Sequence, residues 1–135
     1  MKRPIQEAKI LIVDDTAFNR NSVIKILHEL NVQKNHIIEA EDGLKALQLL
    51  ENLTKQEKIV DLIISDWNMP LMTGHDFLKK IRAHPIYTGL PFILMTTDRE
   101  RDKILQAIKL KVTNYLIKPI TKELLQDKLK DLFTF

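Results

Sequence analysis

Three carboxylates, a hydroxyl and an ammonium are the side chains of this sequence that could do chemistry together. Asp14 and Asp15 end the run AKILIVDD (8–15), and Asp66 ends VDLIISD (60–66). Thr96 closes PFILMT (91–96), and Lys118 closes NYLIK (114–118). Crowded together, three carboxylates repel one another and titrate as a coupled set unless a cation sits among them. An all-oxygen site with few protein ligands and room for water suits Mg²⁺. A carboxylate beside such an ion can act as a nucleophile toward a phosphoryl group. Asp66 is then the attacking group and Asp14 and Asp15 the metal ligands. Lys118 offsets charge on the phosphoryl oxygens, and Thr96 donates a hydrogen bond to one of them.

That chemistry requires the ends of separate runs to meet. Five β-like runs, the four above and HIIEA (36–40), alternate with helical patterns. Helical spacing over 16–31 puts Val23, Ile26, Leu27 and Leu30 on one face. Asp42 is placed to cap a helix carrying Ala46, Leu47, Leu50 and Leu53. TKQEK (54–58) is a polar connector. A helix over 73–84 turns Phe77, Leu78 and Ile81 inward, and another covers 99–110. Thr121 caps the last helix, with Glu123 in its first turn and Leu125, Leu129 and Leu132 among its buried residues. Strands alternating with helices predict a parallel sheet covered on both faces, a doubly wound α/β domain. In such sheets ligands bind outside the carboxyl ends of the strands, where the reactive side chains fall.

Taken singly, most of these residues have plainer uses. Asp15 could cap a helix, Thr96 is an ordinary β-branched strand residue, and Thr97 or Asp98 could cap the following helix. Lys118 could be a solvated strand end. Asp66 resists such a reading, because a carboxylate closing a buried apolar strand costs desolvation unless something pairs with it. Trp67, the only tryptophan, reads as a partly buried neighbour of the site, and Met69, Met72 and Met95 as gap-filling near the core. The histidines at 28, 36, 75 and 84 lack metal-cluster spacing and read as surface or cap residues.

The 135 residues make one domain, 1–135, with 44% hydrophobic and 29% charged residues, a soluble globular balance. No run is long enough to span a bilayer, and MKRPIQEAKI lacks an apolar signal region, so a cytoplasmic protein without membrane insertion is expected. Without cysteine there is no disulfide framework, thiolate zinc site or cysteine nucleophile. The formal charge is +3, and its surplus lies in residues 99–135, with nine Lys/Arg against five Asp/Glu. A solvated pair of helices is the plain reading of that surplus, and a partner-facing basic surface the other.

The pattern VDD (13–15), EAEDG (39–43), DWNMP (66–70), MTT (95–97) and YLIKP (115–119) resembles the receiver domain of two-component response regulators across essentially the whole chain. DWNMP with EAEDG upstream is most similar to the single-domain chemotaxis subgroup. The resemblance implies a flavodoxin-like fold of five strands in the order 2-1-3-4-5 with five helices. It implies Asp66 as the phosphorylated aspartate, Asp14 and Asp15 as the Mg²⁺-binding pair, and Asn68 as donor of a backbone carbonyl to the metal. Thr96 matches the switch hydroxyl, Lys118 the phosphate-binding lysine and Tyr115 the aromatic rotamer switch. Asn68, Thr97 and Asp98 occupy positions that tune dephosphorylation. The resemblance further implies that a sensor histidine kinase supplies the phosphate. It implies too that an effector, a motor switch protein among the options, docks on the face of helix four, strand five and helix five, where Lys109, Lys111 and Lys122 fall. A monomer is implied, and the protein catalyses only its own phosphorylation and dephosphorylation.

Four positions depart from the pattern. Thr97 stands where Ala, Gly or Ser is usual, and Ile120 replaces a frequent phenylalanine. Lys111-Val112 replaces a common Gly-Ala, which predicts a differently closed end to helix four, since a left-handed lysine costs roughly 1–2 kcal/mol. Because the chain ends about one helix after strand five, output through protein contact is expected. The alternatives are a phosphate sink or relay intermediate without its own effector, and a phosphate-independent interaction module. An aspartate-based phosphatase typically has a second acid two residues after the nucleophile, where this chain has Asn68. No P-loop is present. Nucleic-acid binding lacks a recognition motif and ranks last.

Overall fold

The computed structural model describes residues 2–97 and 101–135. Five parallel strands form its sheet: β1 (Ile10–Val13), β2 (Ile37–Ala40), β3 (Leu62–Asp66), β4 (Phe92–Thr96) and β5 (Asn114–Ile117). Their spatial order is β2-β1-β3-β4-β5, the flavodoxin-like order. Five helices connect and follow them: α1 (Ala17–Glu29), α2 (Gly43–Lys55), α3 (Gly74–Ala83), α4 (Arg101–Lys109) and α5 (Lys122–Leu129). The strands are shorter than the apolar runs in the sequence: β1 stops at Val13, so both acids lie just beyond it.

Alternation along each strand divides the core. Ile10, Ile12, Leu62, Ile64, Ile93 and Met95 pack with Val23, Ile26 and Leu27 of α1 and Leu125 and Leu129 of α5. Leu11, Val13, Ile63, Phe92 and Leu94 face the other way, against Ala46 and Leu50 of α2, Phe77, Leu78 and Ile81 of α3, and Ala107 of α4. With both faces covered, every residue of β1, β3 and β4 is buried. Edge strands β2 and β5 are only partly buried. Leu132, expected on the last helix, lies beyond its end and is only half-buried.

The helix starts are set by side chains. Thr16, Asp42, Thr73 and Thr121 each accept a hydrogen bond from the backbone N–H three residues on. Three of the five helix ends follow a common rule that the glycine-poor sequence conceals. Asn31, Glu57 and Lys111 have φ of 66°, 60° and 62° at the ends of α1, α2 and α4. In each, the next N–H returns to the carbonyl five residues back, Val32 to Leu27, Lys58 to Leu53 and Val112 to Ala107. This is the Schellman closure that glycine usually makes. The end of α4 is therefore closed in the ordinary way, against the expectation from Lys111. Arg82 of α3 supports it, its Nε donating to the Lys111 carbonyl at 3.0 Å and its Nη1 to the Leu90 carbonyl at 2.7 Å. A two-residue parallel pairing of Arg3–Pro4 with Phe133–Thr134 joins the two ends of the described chain.

Candidate functional site

The sheet ladder carries the reactive residues to one edge. Val13 pairs with Ser65, Asp66 with Met95 and Thr96 with Ile117. Backbone bonds continue one step past the strands, Asp14 N–H to Ala40 O, Trp67 N–H to Met95 O and Lys118 N–H to Thr96 O. Asp14, Asp66, Thr96 and Lys118 thus leave neighbouring strands at the same level. The Lys118–Pro119 peptide bond is cis.

Asp14 is fully buried, and Asp66 and Thr96 are 6% and 3% exposed. Lys118 Nζ stands 3.1 Å from Asp66 Oδ1 and 3.4 Å from Asp14 Oδ2. Thr16 N–H donates to Asp14 Oδ1 at 3.1 Å. Asp15 is exposed and does not cap α1, because Thr16 takes that role. Its carboxylate is left to the cluster: Asp14, Asp15 and Asp66 each offer an oxygen, all within 4.8 Å of one another.

One ammonium among three carboxylates leaves a negative surplus. Burial pushes the Asp66 carboxyl above its ordinary range, and the Asp14 charge adds to the rise. The hydrogen bond and charge of Lys118 oppose it without cancelling it. Three oxygen donors, one of them open to water, with too little positive charge among them fit a hard divalent cation such as Mg²⁺.

Gly74 shows how tightly the loop after Asp66 is held. Its N–H donates to Trp67 O at 2.7 Å, and a Cβ there would lie 2.2 Å from the Asp66 carbonyl oxygen. Any side chain would displace the backbone that carries Asp66. The loop between them turns at Leu71, with φ of 68° and a Met72 N–H to Pro70 O bond of 2.7 Å. Trp67 is buried at 7% exposure, deeper than expected, with Lys103 Nζ 5.9 Å from its ring centroid.

The remaining sequence-predicted residues fall at varied distances from the cluster. Asn68 and Thr97 are exposed on loops following β3 and β4, and Asp98 lies outside the described residues. Thr96 and Tyr115 border the same small gap with Trp67 and Ala107. Tyr115 is half-buried, and Lys128 Nζ lies 5.4 Å from its ring centroid. Lys109 and Lys111 are exposed and Lys122 half-buried. Sequence reasoning missed Arg20, whose Nη1 donates to Asp14 O at 2.7 Å while its Nε donates to Glu39 at 2.9 Å. It braces the turn that holds both acids. The only signal for it was a basic residue one helical turn past the acid pair.

Residues 10–130 match the family described as "Response regulator receiver domain", and the chain belongs to that family. It is 39% identical over 123 residues to a chemotaxis protein CheY homolog of Campylobacter jejuni, covering 91% of this chain and 90% of that one. Chemotaxis protein CheY-3 of Vibrio cholerae is 39% identical over 125 residues, covering 93% and 91%. Among solved structures, chemotaxis protein CheY4 of Vibrio cholerae superposes with a TM-score of 0.79 at 32% identity, covering 93% of this chain and 98% of that one. Among the described residues no helix is long and apolar enough to cross a membrane.

Proposed function

We propose that this chain is a single-domain response regulator of a chemotaxis pathway, acting in the cytoplasm as a monomer. A sensor histidine kinase donates the phosphoryl group, and Asp66 accepts it. The observation that carries this reading is the Lys118 ammonium between Asp66 and Asp14 in a cluster of three carboxylates. An Asp66 oxygen attacks phosphorus, and the donor's leaving atom departs with the bonding pair. Asp14, Asp15, Asp66 and the Asn68 carbonyl would hold Mg²⁺, which offsets the charge of the transferring phosphoryl oxygens when bound. Lys118 shares that work and moves from carboxylate to phosphoryl oxygen with little displacement. Thr96 donates a hydrogen bond to the phosphoryl group, and Tyr115, across their shared gap, follows it.

The phosphorylation is thus a local charge change that biases a two-state surface. That surface is formed by α4, β5 and α5, and a partner segment of acidic or amphipathic character docks there against Lys109, Lys111 and Lys122. The chain has no reaction beyond gaining and losing its own phosphate, with Asn68, Thr97 and Asp98 setting how long it persists. Trp67, next to Asp66, gives the test. Its fluorescence is expected to respond to Mg²⁺ and then to a small acyl phosphate, the second response being absent in Asp66→Asn. A donor response that persists in Asp66→Asn would contradict Asp66 as acceptor. Charge reversal at Lys109 and Lys122 is expected to weaken partner binding, and binding left intact would exclude this face.

A further inference from the structure

Arg20 and Glu39 stand beside the carboxylate cluster without belonging to it. β1 ends at Val13, so the peptide that joins Asp14 to Asp15 lies past the end of the strand. Its carbonyl accepts from Arg20 Nη1 at 2.7 Å. Asp14 has further holds, its N–H on Ala40 O and its Oδ1 on Thr16 N–H. Asp15 is exposed and precedes α1, so the direction of its carboxylate follows from that one peptide. Arg20 lies one turn into α1, and helical side chains lean back toward the N-terminus, which brings the guanidinium over the turn at 14–16. Its Nε donates to Glu39 Oε1 at 2.9 Å, and Glu39 sits opposite Ile12 in the register of β1 and β2. A forked donor serves both acceptors at once, which the point charge of a lysine would not. As a source of stability the pair is weak, because Glu39 is 44% exposed. A lone guanidinium beside a site for a divalent cation would also be unfavourable on charge alone.

We propose that Arg20 and Glu39 form one positioning unit for the divalent cation. Arg20 fixes the Asp14–Asp15 peptide so that the oxygens of both acids meet that of Asp66 in one cluster, and Glu39 cancels the charge that Arg20 would otherwise hold against the ion. This rests on the cluster as a cation site, and neither residue is a ligand in it. Removing Arg20 has two effects of opposite sign. Loss of the guanidinium charge, with Glu39 left behind, favours a divalent cation, whereas loss of the hold on the peptide disfavours it. The hold dominates, because ligand direction is set at contact range while the charge of an exposed carboxylate is screened by water and salt. Removing the Glu39 charge acts in one direction only. A glutamine oxygen still accepts from Arg20 Nε, so the turn is kept and the guanidinium is left uncompensated.

The test reads binding of Mn²⁺, a divalent probe that takes the same oxygen ligands, from its free-ion signal in electron paramagnetic resonance with no phosphodonor present. Arg20→Met is expected to weaken Mn²⁺ binding about tenfold, the low end of what partners of metal ligands are worth. Arg20→Lys keeps the charge and loses the fork, and it should weaken binding too; if Arg20→Met does not fold, this variant carries the test. Glu39→Gln should weaken binding severalfold at low salt, with the loss shrinking as ionic strength rises. Arg3→Met removes another arginine ion pair, with Asp61 at the amino ends of the strands, and should leave Mn²⁺ affinity unchanged. Arginine variants that bind Mn²⁺ as tightly as the wild type, or more tightly, overturn the positioning role. An unchanged affinity in Glu39→Gln at low salt overturns the charge cancellation. A loss of the same size in Arg3→Met assigns the effect to general loosening of the fold and overturns the proposal. A wild type that binds no Mn²⁺ overturns the cation site itself, an outcome distinct from the others.

Discussion

Replacing Gly74 by alanine tests whether the first turn of α3 fixes the backbone of Asp66. The added Cβ would lie 2.2 Å from the Asp66 carbonyl oxygen and 2.8 Å from the Trp67 Cα. Both are backbone atoms at and just past the end of β3, where Trp67 N–H is bonded to Met95 O, so no rotamer change relieves the contact. Overpacking of this kind costs about 1–3 kcal/mol. The Gly74 N–H bond to Trp67 O is lost or stretched with it, roughly another 1 kcal/mol. The helix propensity gained by alanine offsets part of this, leaving about 2–3 kcal/mol of destabilisation. For a domain of this length that lowers the melting temperature by roughly 7–11 °C. Gly43 and Gly89 supply the scale. A Cβ at Gly43 meets the flexible Met72 side chain at 2.8 Å, and one at Gly89 meets nothing within 4 Å. Urea unfolding followed by Trp67 fluorescence and by circular dichroism should rank the alanine variants Gly74, then Gly43, then Gly89 in order of decreasing cost. Gly74→Ala as stable as Gly89→Ala would refute the packing argument.

Two further perturbations address the helix ends and the acid cluster. Glu57→Gly and Lys111→Gly should each stabilise by about 0.5–1 kcal/mol, the left-handed cost relieved less the added backbone entropy of glycine, and equilibrium unfolding that shows a loss would reject the strain. Because burial raises the Asp66 carboxyl, the folded state keeps that proton to higher pH than the unfolded chain. The stability it contributes is full below the unfolded carboxyl's range and is lost as pH rises through the folded value. Without divalent cations, Asp66→Asn should therefore unfold at higher urea than the wild type at pH 7, with the difference closing in acid, and a less stable variant at pH 7 would reverse the sign.

The fold was largely legible because its signals are local and repeated. The apolar runs of β1, β3 and β4 announce strands buried on both faces, and Thr121 and Asp42 announce helix starts by their own hydrogen-bonding chemistry. The site was legible from the strand ends: Asp14, Asp15, Asp66 and Lys118 meet because parallel strands align their carboxyl ends, a consequence of topology more than of any one motif. What sequence could not convey depends on contacts between distant segments. Lys111 adopts a left-handed closure because the chain turning into β5, backed by Arg82, over-determines it against lysine's own preference. The brace from Arg20 to the Asp14 carbonyl and Glu39 depends on the β2–β1 pairing, which no local pattern encodes. The same is true of the pairing of Arg3–Pro4 with Phe133–Thr134, whose partners lie at opposite ends of the chain. Nothing local in the sequence gives the reason for Gly74, which is the close approach of α3 to the Asp66 backbone.

Asp66 as phosphoacceptor is tested most directly by intact-mass spectrometry of the protein incubated with Mg²⁺ and acetyl phosphate, followed by mapping of the modified peptide. The wild type should gain one phosphoryl group on the peptide containing Asp66, and Asp66→Asn should gain none. A wild type that gains no mass, or a gain that survives in Asp66→Asn, would contradict it.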